Sequence, residues 1–528
     1  MKSKKFFGLS LALLLIQSCV TSQSSERQEA DYWRKFVAGG VPGIADFSYA
    51  GYDFGKSELP TGGGLPIFKV EDFGASPDDD QSDFAAIQEA IKSAEKAKGG
   101  ILLFESGRYL VNEISGSKKG IQITGSNVIL RGSSKAGAET VLFMRNHLEP
   151  LSPTKLWTTP ALIQFRGSGE TRDLGSLAKP VAIGDFTVSF EKKPALKVGD
   201  VVKISAEGRF LTNKFLKGKS TRAKWKNINE KGPYVIEMHR VKSVTSKQVT
   251  FYAPILLDMK TTEDWKLERI ELIENCGFEH LQFEGNFKDS FVHHKNALHD
   301  GGFTAVSMKQ TLNSWVRSCT FKDVNRAVSF TSSLGGTIVG SQVTGNGGHS
   351  SFDLSRSTRG IIAYCQDQAN QWHGPNSSHG SVGSVILRFD GKNRGIDLHA
   401  AFPRVTLFDD CTMAGFDGDS VGRASHGGNY INLPNHLDGL VFWNFKQTAL
   451  PRPDFNFWDL MEDTPDDNYG PLTAVDPILV GFQGKGTSFM PENIGGMESF
   501  GSQAEPQSLY LAQLQARGLD IPNYLKAR

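Results

Sequence analysis

The sequence predicts an all-β protein built as a parallel β-helix, and three observations favour that fold class. Cys276, Cys319, Cys365 and Cys411 are separated by 43, 46 and 46 residues, and 46 residues make two solenoid coils of about 23 residues each. Glycine, at 56 of 528 residues, exceeds the usual share of about 7%. Short apolar runs alternate with turns rich in Gly, Asn, Asp and Ser. We therefore expect a chain that grows by coils rather than one divided into several globular domains.

The period also predicts that these cysteines form no disulfide bonds. If the protein is exported, four cysteines would first suggest two disulfides. Stacked coils lie about 4.8 Å apart, so cysteines on alternate coils would be about 10 Å apart, which is too far for a disulfide. We interpret them as small buried hydrophobic residues.

Composition excludes several classes of protein. Lys and Arg number 58 and Asp and Glu 57, a net charge of +1, so the chain is not a globally basic nucleic-acid binder and no nucleic-acid partner is expected. The 39% hydrophobic content, with 35 Phe, is enough for a large core. No apolar run reaches the roughly 20 residues that cross a bilayer. We expect a monomer that contacts a membrane only through an N-terminal anchor.

The N-terminus has the pattern of an export signal. Basic residues precede an apolar run over residues 6–16, and small or polar residues then lead to Cys19. The stretch from Ile16 to Cys19 resembles a bacterial lipobox, which implies that residues 1–19 are a lipoprotein signal peptide and that Cys19 is lipidated. Val20 after the cysteine fits export to the outer membrane. The alternative is an ordinary signal peptide with an incidental Cys19, which would leave the protein periplasmic or extracellular. Residues 20–65 would form a tether and N-terminal segment.

A helix is expected to cap the first coil, which would otherwise expose its apolar interior and unpaired backbone groups. Ser82 or Asp83 can cap its start, and it ends before Gly99 and Gly100. Its apolar residues fall on one face: Phe84, Ile87, Ile91 and Ala94.

The same region carries a family resemblance. The run VEDFGA at 70–75, the acidic triplet at 78–80 and AIQEAI at 86–91 resemble the opening of the pectate-lyase-like superfamily of right-handed parallel β-helices. The resemblance covers about residues 66–450 and implies a right-handed solenoid. Because its members include polysaccharide lyases and glycoside hydrolases, it implies a carbohydrate substrate without fixing the reaction.

Two further segments do not follow the coil period. Residues 195–256 are predicted to form a small β module inserted between coils. Within it, the stretch 209–226 holds seven basic side chains and no acidic one. That stretch is either a solvated loop or a patch that attracts an anionic polymer. Residues 451–528 form a C-terminal segment that ends in a helix with Leu509, Leu511, Leu514 and Leu519.

The period also predicts a functional site, because residues 23 apart project from neighbouring coils. Asp353, Asn376 and His399 form one such column, and Arg356 and His379 form a second one three residues along. All five would lie within about 10 Å of one another. Stacked polar ladders are the structural alternative, but two adjacent columns with two imidazoles and a guanidinium favour acid and base chemistry.

Other residues near these columns are candidates for substrate binding. Trp372 and His373 precede His379, Arg404 follows His399, and His426 lies in a loop that interrupts the next coil. Together with Asn376 they make the predicted substrate-binding set.

These residue types suit a lyase that acts on an anionic polysaccharide containing uronic acid. In that hypothesis His379 or His399 is the base, Arg356 and Asn376 bind the carboxylate, Asp353 orients a histidine, and the second histidine or a tyrosine is the acid. The resemblance makes calcium a candidate cofactor, although no compact carboxylate cluster demands it.

Two alternatives to the lyase remain open. A hydrolase of the same superfamily needs two or three carboxylates, and the segment from Ser378 to Gly380 resembles the Ser-His-Gly of polygalacturonase-type hydrolases. Their paired Asp should precede that segment, whereas Asp409 and Asp410 follow it. The other alternative is a non-catalytic surface protein that binds glycans.

Overall fold

The computed structural model describes residues 28–39, 43–112, 114–133, 139–416, 429–460 and 472–526 and shows the predicted right-handed parallel β-helix. The central coils pass in turn through three parallel sheets, which we call sheets 1, 2 and 3. The twelve strands of sheet 1 are Ile67–Lys69, Gly100–Leu103, Val128–Arg131, Gly277–Glu279, Trp315–Arg317, Thr337–Val339, Ile361–Ala363, Val382–Leu387, Arg404–Asp409, Leu440–Trp443, Ile478–Val480 and Gly496–Glu498. The nine strands of sheet 2 are Gly107–Asn112, Thr140–Met144, Gln282–Glu284, Thr320–Lys322, Gln342–Thr344, Gln366–Asp367, Asp390–Gly395, Thr412–Gly415 and Lys446–Gln447. The six strands of sheet 3 are Ile121–Ile123, Ile163–Arg166, Thr304–Lys309, Arg326–Thr331, Ser350–Ser355 and Asn376–Ser378.

Coil length varies around the predicted period. In sheet 1, Trp315 pairs with Thr337, a spacing slightly shorter than the period, and Thr337 pairs with Ile361, a spacing slightly longer than it. The coil that begins at Gly277 is much longer, because the partner of Gly277 on the next strand is Trp315. The extra residues form a loop before the sheet 3 strand at 304–309, and this loop includes the π-helix Leu298–Gly302.

The cysteines pack inside the coils as free thiols. Cys319, Cys365 and Cys411 occupy one stacked position between sheets 1 and 2, with other residues on the intervening coils. Cys276 lies at a different corner, because its carbonyl accepts from Trp315 at the start of the next coil's strand. All four are buried and unbonded to one another, as predicted. Burial raises the pKa of the Cys365 thiol to about 12.

The predicted cap is the α-helix Phe84–Lys96. Ile87 and Ile91 on its apolar face are fully buried against the first coils. The Asp83 carboxylate does not cap the helix by itself. It accepts hydrogen bonds from the backbone N–H groups of Ser76 and Leu110, both at 2.8 Å, which ties the helix start to a strand of sheet 2.

The inserted module is larger than predicted, because its antiparallel sheet begins before residue 195 and ends after 256. Its strands are Thr171–Asp173, Thr187–Ser189, Val201–Glu207, Tyr234–Val244, Gln248–Phe251 and Lys266–Ile270. The basic stretch forms the helices Arg209–Leu216 and Lys226–Glu230. Lys219 pairs with Asp476 at 3.0 Å, so part of this stretch holds the module against the C-terminal coils.

The β-helix extends beyond the predicted boundary at residue 450, since two strands of sheet 1 follow it. The C-terminal helix Leu509–Ala516 packs on sheet 1 together with the N-terminal segment. The buried carboxylate of Asp409 accepts hydrogen bonds from the Ser508 hydroxyl at 2.6 Å and from the Tyr510 N–H at 2.9 Å. Sheet 1 thereby anchors the helix start.

A few short elements complete the structure. They are the α-helix Asp31–Val37, the paired strands Gln28–Glu29 with Ala504–Glu505 and Ile273–Glu274 with Thr311–Leu312, and the 3-10 turns Tyr52–Gly55, Val70–Phe73, Leu156–Thr158, Tyr430–Asn432, Pro491–Asn493 and Asn523–Leu525. None of the helices in the described ranges combines the length and apolarity needed to cross a membrane. The signal peptide, Cys19 and His426 lie outside the described residues and stay predictions.

Candidate functional site

A groove runs along the outer face of sheet 3. Gln164, Ser307, Ser329 and Asp353 are register partners on successive strands and line this groove. The small side chains of Ser307 and Ser329 leave room for a cavity of about 330 Å³. The groove thus crosses several coils, as a polymer-binding surface requires, and Asp353 lies at its later end.

Asp353 begins the predicted first column. It pairs in register with Asn376, whose Nδ2 donates to Asp353 Oδ1 at 2.9 Å. Asn376 in turn pairs with Asp397, not with His399 as the predicted period requires. The backbone N–H of His399 still donates to Asn376 Oδ1 at 3.0 Å. The amide of Asn376 therefore links Asp353 to His399.

The second column places Arg356 and His379 beside the first. Ser355 and Ser378, which precede these two residues, are register partners. The rings of His379 and His399 have centroids 6.4 Å apart. Arg356 is exposed and His379 half-buried. The structure therefore brings all five residues of the predicted columns together.

Basic side chains form one wall of this region. Lys309 lines the groove, and its pKa is lowered by burial and by the nearby charges of Arg166 and Arg356. Three cations that act on one another in this way create a strongly positive local potential. This wall is suited to an anionic group such as a carboxylate.

Asp397 is a site residue that the period did not reveal. Its Oδ2 lies 2.8 Å from His373 Nδ1, and its Oδ1 lies 3.8 Å from His399 Nδ1. Although burial opposes it, the charges of these two histidines and the close contact with His373 hold the pKa of Asp397 well below its usual range. Burial lowers the pKa of His399, but the negative charges of Asp397 and Asp353 outweigh burial and raise it.

Asp353 in the groove and His379 beside it have pKa values shifted by burial. Burial raises the pKa of Asp353 to about 6, with Asp397 adding to the shift. Burial, with the charges of His399 and Arg356, lowers the pKa of His379 to about 4. At neutral pH His379 is therefore a neutral imidazole, whereas the raised pKa of His399 shifts that ring toward the imidazolium form. Neighbouring groups with opposite shifts are suited to serve as base and acid.

The long coil contributes to a cluster of histidines of which the sequence predicted only His373. Its loop carries His293 and His294, the second coil after it adds His349, and the third adds His373. Trp372 stacks on His293 with centroids 5.1 Å apart, so this predicted binding residue lies in the cluster. Three sets of potential metal-ligand atoms occur among the described residues, and each set contains at least two histidines. These donors are mainly nitrogen, whereas calcium prefers oxygen.

Arg404 is the one described candidate that lies elsewhere. It is only 2% exposed, and its guanidinium pairs with Glu237 of the inserted module and donates to the Leu256 carbonyl at 2.8 Å. This placement argues against a substrate contact. The sequence predicted Arg404 near the site because it follows His399 closely. In the structure, however, Arg404 is the first residue of a strand of sheet 1, away from the groove on sheet 3.

Two family descriptions match parts of the chain. Residues 67–157 match the family described as rhamnogalacturonase A/epimerase, pectate lyase-like. Residues 370–528 match a domain of unknown function, DUF4955. No curated protein matches the sequence. The first match coincides with the segment on which the sequence resemblance rests, and it supports a protein that acts on polysaccharides.

Solved structures similar to this chain share little sequence with it. A tailspike protein of Pseudomonas phage LKA1 is 12% identical, with 81% of this chain and 77% of that chain covered and a TM-score of 0.42. A mannuronan C-5 epimerase A-module of Azotobacter vinelandii is 11% identical, with 81% and 91% covered and a TM-score of 0.38. A surface adhesin of Streptococcus pneumoniae is 12% identical, with 79% and 78% covered and a TM-score of 0.40. The chain has the fold of the pectate-lyase-like right-handed parallel β-helices, as its sequence predicts.

Proposed function

We propose that the protein is a polysaccharide lyase that cleaves a polymer containing uronic acid by β-elimination. One observation carries this proposal: His379 and His399, whose pKa values are shifted in opposite directions, lie together beside the exposed Arg356. A base, an acid and a cation are what β-elimination next to a carboxylate requires.

Each group has a defined role in the reaction. Arg356 binds the uronate carboxylate and stabilises the negative charge that develops on it. The neutral His379 removes the proton alpha to that carboxylate. The electron pair of the C–H bond forms the new double bond as the bond to the glycosidic oxygen breaks, and His399 donates a proton to that oxygen. Asp397 orients His399, and Asn376 positions it through its backbone.

The burial of the carboxylates disfavours the hydrolase alternative. An inverting or retaining hydrolase needs two carboxyl groups that act on the sugar. Asp353 is half-buried and lines the groove, but Asp397 and Asp300 are 5% and 1% exposed and lie beneath histidines. Only one carboxyl group of this cluster is therefore placed to contact substrate.

Product analysis tests the proposal directly. The full-length protein would be incubated with a panel of uronate polymers, and neutral polymers would serve as the matched control. We expect the ultraviolet absorbance of an unsaturated uronate to increase together with new reducing ends. Reducing ends without that absorbance would establish a hydrolase, and binding without cleavage would establish a glycan-binding protein; either result would refute the lyase.

The pH dependence of the reaction should report both histidines. Activity requires neutral His379, whose pKa is about 4, and protonated His399, whose pKa is raised. We expect activity to fall below about pH 4 and again above the raised pKa of His399, since the acid then loses its proton. Asp397→Asn removes the main interaction that raises this pKa, so the alkaline limb should shift to lower pH. The measurement is kcat/KM against pH.

The control for this variant is Asp454→Asn, which changes an exposed carboxylate in the C-terminal coils. Its pH profile should match that of the unchanged protein. An Asp397→Asn profile with an unmoved alkaline limb would contradict the assignment of His399 as the acid that Asp397 supports.

A further inference from the structure

Three histidines from three different coils converge where the groove ends. His293 lies in the loop of the long coil, His349 precedes the sheet 3 strand at 350–355, and His373 precedes the strand at 376–378. Each offers one ring nitrogen, and these three atoms all lie within 4.8 Å of one another. The cluster adjoins the proposed acid through Asp397 but includes neither His379 nor His399.

The spacing of two of these nitrogens fits a shared metal ion. His293 Nε2 and His373 Nε2 lie 3.4 Å apart. Metal–nitrogen bonds of about 2.0–2.1 Å at a tetrahedral angle place two imidazole nitrogens about 3.3–3.4 Å apart. The two rings therefore already have the separation that a tetrahedral ion imposes.

The other ring nitrogens have the partners that metal-binding histidines need. His373 Nδ1 lies 2.8 Å from a carboxylate oxygen of Asp397. His349 Nδ1 lies 2.5 Å from the backbone carbonyl oxygen of Asp300 and 3.0 Å from Arg326 Nη2. A carbonyl oxygen can only accept, so the shorter contact favours the tautomer in which Nδ1 donates. A histidine that donates from Nδ1 has its lone pair on Nε2, and this pairing with a carboxylate or carbonyl also fixes the ring.

Packing holds the rings in place before any ligand binds. Trp372 stacks on His293, and Phe291 lies against His349 with centroids 5.9 Å apart. His349 and His373 are 6% and 8% exposed, whereas His293 remains half-exposed. The cluster is therefore rigid on two sides and reachable from solvent through His293.

We propose that His293, His349 and His373 form a binding site for one divalent transition-metal ion of the zinc type. Three imidazole donors select such an ion over calcium or magnesium, which prefer oxygen ligands. Three protein ligands also leave a fourth coordination position for water or a substrate oxygen. The site goes beyond the proposed lyase chemistry, whose residues are His379, His399 and Arg356.

Metal binding can be measured without any substrate, so its result is independent of the lyase assay. The full-length protein, without a polyhistidine tag, would be stripped with a chelator and titrated with Zn²⁺ and, separately, Co²⁺. We expect one tightly bound zinc ion per chain by elemental analysis and the intense visible absorbance of tetrahedral Co²⁺. His293→Ala should weaken zinc binding about 100-fold or more.

His147→Ala is the matched control, because His147 is a half-exposed histidine paired with Glu149 outside the cluster. Its zinc affinity should equal that of the unchanged protein. The proposal fails if the stripped, folded protein takes up no stoichiometric zinc, or if His293→Ala binds zinc as tightly as the control does. Preferential binding of Ca²⁺ at this site would also overturn it. Circular dichroism of each protein before titration establishes that it is folded.

Discussion

Replacing His379 by alanine is expected to lower kcat for polymer cleavage by about 10²–10⁴-fold, and His399→Ala should have an effect of the same size. Each variant removes one of the two proton-transfer groups of the elimination. The rings lie 6.4 Å apart at the end of the groove, and both side chains remain partly exposed rather than packed in the core. Thermal stability should therefore change little. Initial rates of double-bond formation and a melting curve for each variant give the two readings.

The double variant gives a sharper test than either single change. If both histidines act in one step, the double variant His379→Ala with His399→Ala should cleave the polymer almost as fast as the less active single variant. The reason is that the rate losses from groups that act as a unit do not add up. His280→Ala, a half-buried histidine outside the groove, serves as the control and should retain full activity. Undiminished cleavage by both single variants would rule out this pair as the catalytic acid and base.

Residue spacing was enough to predict the coil architecture, because each coil repeats the same requirement for turns and inward-facing apolar side chains. Prediction from spacing fails where the coils differ in length. After Trp315, one coil is slightly shorter than the predicted period and the next is slightly longer. Because these two differences cancel, Asp353 and Asn376 are still register partners, as the period predicts. One coil later the chain returns to the sheet earlier than the period predicts, and Asn376 pairs with Asp397. A fixed period therefore passed over the carboxylate that supports His399.

The same reasoning explains why His293 was not predicted as a site residue. His293 lies on the loop that lengthens the coil between Gly277 and Trp315, and loop residues have no counterpart one period away. Its packing depends on Trp372, which is distant in sequence. Two adjacent histidines in a polar stretch were the available signal. A search for histidines near coil-length insertions, rather than at fixed spacing, would have found them.

The inserted module shows a different limit. Its short strands were predicted from the sequence, but one of its contacts with the β-helix is a buried ion pair between residues 167 positions apart. The sequence predicted Arg404 as a substrate-binding residue because it follows His399 closely along the chain. Burial reverses that interpretation, since Glu237 on the module neutralises it and both side chains are excluded from water.

Arg404→Ala is accordingly expected to lower the free energy of unfolding by about 3–5 kcal/mol, because it leaves the carboxylate of Glu237 buried without its cation. Burial disfavours the Glu237 carboxylate, but the charge of Arg404 and the hydrogen bond from His239 outweigh it and hold its pKa below the usual range. A carboxyl group with a lowered folded pKa contributes stability above its unfolded pKa and loses that contribution as pH falls. The loss in free energy of unfolding caused by Arg404→Ala should therefore be largest near neutral pH and should become smaller on acidification below about pH 4. Denaturant unfolding at several pH values measures it.

A paired replacement separates the structural role of Arg404 from a catalytic one. Arg404→Met combined with Glu237→Leu removes both charges and keeps apolar volume at the interface, so most of the lost stability should return. The folded double variant should then cleave the polymer at the rate of the unchanged protein, because neither residue reaches the groove. A stable double variant without activity would instead return Arg404 to the substrate site. Recovery of both stability and activity would show that Arg404 holds the inserted module on the β-helix, while the anionic substrate is bound by Arg356 and the cations beside it.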